Sequence, residues 1–309
     1  MPSQENLTRH RLDAESGENR TRATLCGRPR IEWPDGKKIC ATLTVAFEAF
    51  TRGGHFKKAK GLEVNLVSLS HANYGGNAGI WRILEVLERN KVRATVDVNG
   101  LAVQKWPDAV KALHEAGNEI AGHGTTNDIH MTDLSPDEQR AEIRAVNRIV
   151  KDVIGEQPVG WVSPGGHHTR ETLGILADEG YTWCGDQCDD DLPYVVEVDG
   201  KRMVIVPKHW FFNDWRAWNG GASSSEMAFQ QFKDGFDFVL EEALRGKPGR
   251  IDALVHAELG GRPYIANAFE KMIRYVRQHD DIVWFPTRDE IADYVLANTN
   301  HVEPYSPTG

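Results

Sequence analysis

Three ionisable side chains stand at the ends of short apolar segments, where they could transfer protons. Glu48 ends the segment LTVAFE, His123 lies in EIAGHGTTND, and His256 lies in ALVHAELGGRP. A carboxylate can accept a proton from water or bind a metal ion. A histidine, with a free pKa of about 6.5, can donate or accept a proton near neutral pH. We therefore predict that Glu48, His123 and His256 are catalytic, although each also has a purely structural interpretation at the rim of a fold.

A second group of residues could bind a substrate or a negatively charged oxygen. Ser163 opens the segment SPGGHH, whose glycines could present backbone N–H groups to an oxyanion. The aromatic segment WFFNDWRAW, residues 210–218, could form a pocket wall, a subunit interface or part of the core. The predicted substrate-binding or oxyanion residues are Ser163, Gly165, Gly166, Asp186, Asn213 and Trp215.

The elements that must position these residues are indicated by alternating apolar and helical patterns. Predicted helices begin at the capping sequences SPDE, residues 135–138, and TRDE, residues 287–290. The predicted strands cover residues 39–47, 92–98, 119–122, 158–162, 181–184, 203–206, 253–256 and 282–285. Because parallel strands need helical crossovers, this alternation predicts an α/β fold with a parallel sheet. Seven or eight strands in about 270 residues fit a distorted (β/α) barrel, and an open doubly wound sheet is the alternative.

In both of these folds, active sites form at the carboxyl ends of the strands. The polar residues that directly follow the predicted strands are Glu48, Asp97, Asn99, His123, Ser163, Asp186, Asn213, Asp214, His256, Glu258 and Arg288. Solvated loops also begin at strand ends, so one such residue is a weak signal. Their convergence at one edge of a sheet is a stronger indication of a site.

The composition limits the class of partner. Acidic residues exceed basic residues by 45 to 36, and the resulting net charge of −9 argues against nucleic-acid binding. No segment approaches the ~20 apolar residues of a membrane helix, and the N-terminal residues lack the apolar stretch of a secretory signal. We therefore expect a cytoplasmic protein that acts on a small-molecule substrate and binds neither nucleic acid nor membrane.

The chain divides into three parts by its pattern. Residues 1–27 are polar and aperiodic, and we predict that they form an N-terminal arm that is disordered or wraps an interface. Residues 28–300 form the predicted catalytic domain, and residues 301–309 form a C-terminal tail. The arm and the aromatic segment could both supply an interface, so we expect a homodimer or a homotetramer.

Long segments of the catalytic domain resemble the polysaccharide deacetylase superfamily, also called carbohydrate esterase family four. The resemblance covers about residues 28–297, and the chain is most similar to the branch that contains deacetylase-like allantoinases and cyclic imide hydrolases. It rests on RPRIEWPDGKKI, YGGNAGIWRILEVLERNKVRATV, AGNEIAGHG, PVGWVSPGG, DDDLPY, FFNDWR, HAELGGRP and WFPTRDEIADY, in this order. The resemblance implies a distorted (β/α) barrel, in agreement with the strand count.

The chain departs from the metal-dependent members at three motifs. Those members carry an Asp-x-Asp motif after the first strand, and the corresponding residues here are Ala46 and Glu48. Their His-x-x-x-His motif corresponds to His123 and Asn127, and their third-motif arginine corresponds to Val162. A zinc site of two histidines and one carboxylate cannot be assembled from the matching positions.

The sequence alone leaves open whether a cofactor is needed. The resemblance to the allantoinase-like branch implies that no tightly bound metal is required. If a divalent metal such as zinc does bind, the predicted ligands are Glu48, His123 and Asp128.

The resemblance implies hydrolysis of a carbon–nitrogen bond other than a peptide bond, in a cyclic amide, imide or ureide or in a small amide. Glu48 would activate water or the substrate N–H with His123 beside it, and His256, which matches the late-motif histidine, would protonate the leaving nitrogen. Two alternatives remain open from the sequence: a metal-dependent sugar N-deacetylase, and a non-catalytic binding protein on a decayed deacetylase scaffold.

Overall fold

The computed structural model describes residues 31–52, 64–208, 211–219 and 224–305. The predicted N-terminal arm, residues 1–27, lies outside these residues. The described strands are β1 Ile39–Phe47, β2 Thr95–Val98, β3 Glu119–Gly122, β4 Gly160–Trp161, β5 Trp183–Cys184, β6 Tyr194–Val198, β7 Lys201–Ile205, β8 Phe212–Asn213, β9 Gly249–His256, β10 Val283–Trp284 and β11 Glu303–Pro304. The described helices are α1 Leu66–Tyr74, α2 Ile80–Asn90, α3 Gly100–Lys105, α4 Pro107–Glu115, α5 Pro136–Ile154, α6 Thr172–Asp178, α7 Asp214–Asn219, α8 Ser225–Leu244, α9 Ala257–Gly260, α10 Pro263–Val276 and α11 Arg288–Asn298.

The strands form one sheet that is parallel except at a single hairpin, and the predicted α/β fold is confirmed. The strand order is β11-β6-β7-β5-β4-β3-β2-β1-β9-β8, and β10 pairs with β1 off this path. Among the described residues, no hydrogen-bonded pair joins β8 to β11. The antiparallel pair is β6 and β7, which turn at Asp199 and Gly200, both with a positive φ. Such a turn matches the twist of a two-residue hairpin.

The strand count is higher than the seven or eight predicted. Three strands, β6, β8 and β11, were not predicted from the sequence, and β8 and β11 have two residues each. Segments this short carry no alternation that could reveal a strand. Because β11 pairs with β6, the sheet continues beyond residue 300, where we predicted the C-terminal tail to begin.

The side chains of the central strands alternate between two faces, as the period of a strand requires. In β1, Leu43, Val45 and Phe47 pack into the large apolar core with residues from the helices. Thr42 and Thr44 lie on the other face, where both hydroxyl groups donate to Asp252 Oδ1 of β9, at 2.7 and 2.8 Å. The second face is therefore polar along its centre, and it leads to the strand ends.

Helix starts follow the sequence signals closely. The predicted capping boxes at Ser135 with Glu138 and at Thr287 with Glu290 are both present. In the part of the chain that the structure describes, no helix combines the length and the apolar character needed to cross a membrane.

Candidate active site

The register of the sheet brings the predicted catalytic residues to one edge. Ala46 of β1 pairs with Asp97 of β2 on one side and with His256 of β9 on the other. Glu48 lies two residues after Ala46, and His123 lies two residues after the partner of Asp97 in β3, so both share the polar face. The strand period and the observed register therefore bring four ionisable groups, Glu48, Asp97, His123 and His256, to one edge of the sheet.

These residues line a cavity of about 80 Å3, which we call the active-site cavity. Its ionisable lining residues are Glu48, Asp97, His123, Lys208, His256 and Arg288, and its amide side chains are Asn127 and Asn213. Glycine and small apolar residues complete the wall. A space of this size holds about five to eight groups of the size of a water molecule, because a single water needs about 10–15 Å3 by the same measure.

Glu48 and His123 form a buried pair, and each side chain is 4% exposed. His123 Nε2 lies 2.9 Å from Glu48 Oε1, and Nδ1 lies 2.6 Å from the carbonyl oxygen of Val162. Because a carbonyl can only accept, Nδ1 carries a proton, and a second proton is shared between Nε2 and the carboxylate. Burial lowers the pKa of His123, but the hydrogen bond and charge of Glu48, together with Asp97, outweigh it and raise the pKa above its usual value.

His256 forms the second buried pair, with Asp214 at the start of α7. His256 Nδ1 lies 2.6 Å from Asp214 Oδ1. Burial lowers the pKa of His256, but the charge and hydrogen bond of Asp214, with smaller effects of Glu48 and Glu258, raise it to about 9. The ring is therefore an imidazolium near neutral pH, and a proton on Nε2 could pass to a group in the active-site cavity.

The predicted glycine-rich oxyanion segment, which begins at Ser163, is held in place by hydrogen bonds to Asp186. The backbone N–H and the hydroxyl group of Ser163 each donate to one oxygen of Asp186, at 2.7 Å in both cases. The N–H of Gly166 donates to the carbonyl of Ser163, and Gly165 lines the active-site cavity with a φ of +64°. Asp186 thus holds the segment in place, and Gly165 is the member that faces the cavity.

The two predicted residues of the aromatic segment lie in different surroundings. Asn213 lines the active-site cavity, and its Oδ1 accepts the backbone N–H of Arg216 at 3.2 Å. Its NH2 group is therefore the donor that can serve a substrate. Trp215 is half-buried and is not among the lining residues, and its backbone N–H donates to Asp214 Oδ1 at 2.7 Å.

The residues do not fit the predicted metal site. Asp128 is exposed, does not line the active-site cavity, and accepts the N–H and hydroxyl group of Thr51 at 2.5 and 2.9 Å. Both ring nitrogens of His123 face oxygen atoms of the protein, so neither presents a lone pair to a metal ion. Within the described ranges, no group of three or more His, Cys, Asp or Glu side chains is arranged to hold one.

Three charged lining residues had no role in the sequence-based site. Asp97 and Arg288 were recognisable as polar residues after strands, but Lys208 carried no signal. Arg288 Nη1 lies 3.6 Å from Asp97 Oδ2, and Nη2 lies 3.4 Å from Asp252 Oδ2. Burial raises the pKa of Asp97, and the charges of Arg288, His123 and Lys208 act in the opposite direction.

Comparison with known proteins gives consistent matches along the chain. Residues 65–184 match the family model described as polysaccharide deacetylase. A Schizosaccharomyces pombe protein assigned to the polysaccharide deacetylases is 27% identical over 292 residues, covering 84% of this chain and 91% of the relative. A peptidoglycan deacetylase of Helicobacter pylori is 23% identical over 260 residues, covering 74% of this chain and 87% of the relative.

Solved structures extend this similarity to the whole described fold. The crystal structure of Puue allantoinase superposes with a TM-score of 0.80 at 27% identity, covering 89% of this chain and 95% of the allantoinase. A Pseudomonas aeruginosa PAO1 protein assigned to the polysaccharide deacetylases superposes with a TM-score of 0.79 at 27% identity, covering 89% and 96%.

Proposed function

We propose that this chain, which belongs to the polysaccharide deacetylase superfamily, hydrolyses a carbon–nitrogen bond and opens a small cyclic amide, imide or ureide. The observation that carries the proposal is the pairing of two proton-transfer groups across one small cavity. Glu48 with His123 forms one pair, and His256 with Asp214 forms the other. Hydrolysis of an amide needs one group to take a proton from water and another to give a proton to nitrogen.

Glu48 is the proposed general base. Its Oε1 lies 2.9 Å from His123 Nε2, and this contact fixes the orientation of the carboxyl group. A water molecule placed between this carboxylate and a substrate carbonyl would lose its proton as it attacks. General-base catalysis of this kind contributes a factor of about 10²–10⁴ to the rate.

His256 is the proposed general acid. Because Asp214 holds Nδ1, the proton that reaches the leaving nitrogen comes from Nε2. The pKa of about 9 keeps this proton in place at neutral pH, and the amine that leaves is more basic than the amide it came from. The histidine can therefore donate as the carbon–nitrogen bond breaks.

The oxyanion of the tetrahedral intermediate needs hydrogen-bond donors on the cavity wall. The NH2 group of Asn213 and the backbone at Gly165 are the proposed donors, since both residues line the active-site cavity. The cavity volume of about 80 Å3 suits a small ring or the reacting amide group of a larger molecule.

The test is a substrate panel with a catalytic control. Succinimide, hydantoin and allantoin are assayed for ring opening, and chitin oligomers are assayed for acetate release. We expect ring opening of at least one cyclic compound by the natural chain and its loss in Glu48→Gln. Acetate release without any ring opening would contradict the cyclic substrate.

A sugar N-deacetylase is the second candidate, because the family model and the Helicobacter pylori relative are both named for deacetylation. The same two pairs could cleave an acetamido group that enters the cavity from a sugar outside it. Saturable binding of panel compounds with no turnover of any kind would instead favour a non-catalytic binding protein.

A further inference from the structure

Asp97 is a buried acid in the active-site cavity that the proposed proton transfers do not use. Its side chain is 3% exposed, and it lines the cavity from the end of β2. Its Oδ1 is buried without a hydrogen-bond partner among the described residues. An unsatisfied acceptor of this kind costs roughly 1–3 kcal/mol or more, so such atoms are rare in folded proteins and are satisfied by water or by a bound group.

Arg288 supplies hydrogen-bond donors directly beside this acceptor. Its Nη1 lies 3.6 Å from Asp97 Oδ2, beyond hydrogen-bonding distance, and about 3.5 Å from the position that a Cβ on Gly185 would take. Gly185 and Arg288 both line the active-site cavity. The Nε of Arg288 is buried and also lacks a partner in the described part of the chain. One wall of the cavity therefore presents an acceptor and a donor side by side.

We infer that Asp97 and Arg288 recognise the edge of a cis amide, with the substrate N–H on Asp97 Oδ1 and the adjacent carbonyl on the guanidinium of Arg288. The inference rests on the proposed function, because it names the substrate class of the same cavity. The class is a small ring that contains an unsubstituted N–H next to a carbonyl, as in a lactam, an imide or a cyclic ureide.

Amide geometry is the reason that this wall selects rings. In an open-chain secondary amide the trans form places N–H and C=O on opposite sides, and the cis form costs about 2.5–4 kcal/mol. In a five- or six-membered ring the amide is held cis, so N–H and C=O point to the same side. An acceptor and a donor on one wall can engage both groups of a ring amide, but only one group of an acetamido sugar.

The experiment measures binding of matched probes by NMR titration, in a Glu48→Gln background that prevents turnover. Succinimide is compared with N-methylsuccinimide, which lacks the N–H, and 2-pyrrolidinone is compared with N-methylacetamide, which is trans. We expect the first member of each pair to bind about tenfold to a hundredfold more tightly, as expected for a hydrogen bond to a charged group.

Asp97→Asn separates the effect of the hydrogen bond from the effect of side-chain size, because asparagine and aspartate have nearly the same shape. Its amide oxygen will turn toward Arg288 and its NH2 group toward the cavity, which replaces the acceptor with a donor. We expect the preference for succinimide to fall to within about threefold. Glu258→Gln is the matched control, a buried carboxylate outside the cavity lining, and it should retain the preference. Thermal unfolding checks that each variant folds, and Asp97→Ser replaces Asp97→Asn if the latter does not.

The outcomes separate this inference from the proposed function. Three results would contradict recognition of a cis amide by Asp97 and Arg288. These are equal binding of the two probes in each comparison, a preference that persists in Asp97→Asn, and no binding of any probe. Preferential binding of the cyclic N–H probes, without ring opening by the natural chain, would support recognition by Asp97 and Arg288 and contradict the proposed activity. Ring opening of succinimide and N-methylsuccinimide with equal kcat/KM would support the proposed activity and contradict recognition of the substrate N–H by Asp97.

Discussion

His256 and Asp214 are joined by two hydrogen bonds that use both oxygens of one carboxylate. Asp214 Oδ1 lies 2.6 Å from the ring Nδ1 of His256, and Oδ2 accepts the backbone N–H of the same residue at 2.9 Å. Asp214 is fully buried at the start of α7. Because the carboxylate holds both the ring and its backbone, the histidine keeps one orientation and the charge of its protonated form is balanced.

The first prediction concerns the proton on His256. Asp214→Asn removes the charge that raises the pKa of about 9, so we expect this pKa to fall toward the ordinary value for histidine. The proton would then be lost at a lower pH, and the alkaline limb of the kcat profile would move down with it. At pH 8 a histidine with a pKa near 6.5 is only about 3% protonated, so we expect kcat at this pH to fall by about 30-fold. NMR titration of His256 and a pH–rate profile measure the two effects.

A nearby carboxylate provides the control for this variant. Glu258 is buried two residues after the histidine, and its charge makes a smaller contribution to the pKa of His256 than that of Asp214. Glu258→Gln should therefore move the pKa less than Asp214→Asn. An unchanged alkaline limb in Asp214→Asn, with turnover close to that of the natural chain, would remove His256 from the role of general acid.

The second prediction links the same group to stability. The pKa of His256 is higher in the folded chain, about 9, than its unfolded value near 6.5. The stabilisation is therefore fully present below about 6.5 and is lost as the pH rises through about 9, with a total on the order of 3 kcal/mol. Urea unfolding at pH 6 and pH 10 should show this loss in the natural chain and a smaller one in Asp214→Asn. Equal losses in both chains would contradict the assignment.

The third prediction concerns the Glu48–His123 pair. Glu48→Gln removes the negative charge that raises the pKa of His123, so this pKa should fall. The glutamine cannot accept a proton from water, and we expect kcat to drop by about 10²–10⁴ while the fold is retained. Single-turnover kinetics measure the change in rate, and NMR chemical shifts of the ring nitrogens of His123, followed against pH, measure the change in its pKa. Turnover near that of the natural chain would exclude Glu48 as the base.

Much of this site could be predicted because the apolar segments that form strands, and the points at which they end, can be recognised from the residue types. Glu48, His123 and His256 follow apolar segments, and parallel pairing brings such positions to one edge. Asp97 and Arg288 were also recognisable as polar residues after strands. No role could be assigned to them from the sequence, because the contact between them depends on how the start of α11 packs against β2.

Other features lie beyond sequence reasoning for a different reason. Lys208 lies three residues after the end of β7, directly after Pro207, and only tertiary packing directs it to the active-site cavity. The pairing of Asp214 with His256 joins residues 42 positions apart, across β8 and β9. Asp128 was predicted as a ligand if a metal binds, whereas its side chain accepts hydrogen bonds from the N–H and the hydroxyl group of Thr51.

The fourth prediction concerns metal dependence. Since both nitrogens of His123 face protein oxygens and Asp128 lies outside the cavity lining, we expect turnover without stoichiometric metal. Dialysis against a strong chelator should leave kcat unchanged, and elemental analysis should find zinc well below one ion per chain. Activity that disappears with the chelator and returns with one equivalent of zinc would show that His123 and Glu48 rearrange to bind it.

The last prediction tests how the segment before α2 packs against the first residue of α9, directly after His256. A Cβ on Gly79, before α2, would lie 2.0 Å from the carbonyl oxygen of Ala257, the residue after His256. Since backbone atoms cannot yield as a flexible side chain can, Gly79→Ala must displace α2 or α9, at a cost of about 1–3 kcal/mol. We expect lower stability in urea and a lower kcat.

Gly174→Ala in α6 is the control. The nearest atoms to its Cβ are the end of the Asp199 side chain at 3.1 Å and Val198 Cγ1 at 3.6 Å, and alanine favours a helix by up to about 1 kcal/mol. Unchanged stability and turnover in Gly79→Ala would mean that this contact does not hold α9 in place.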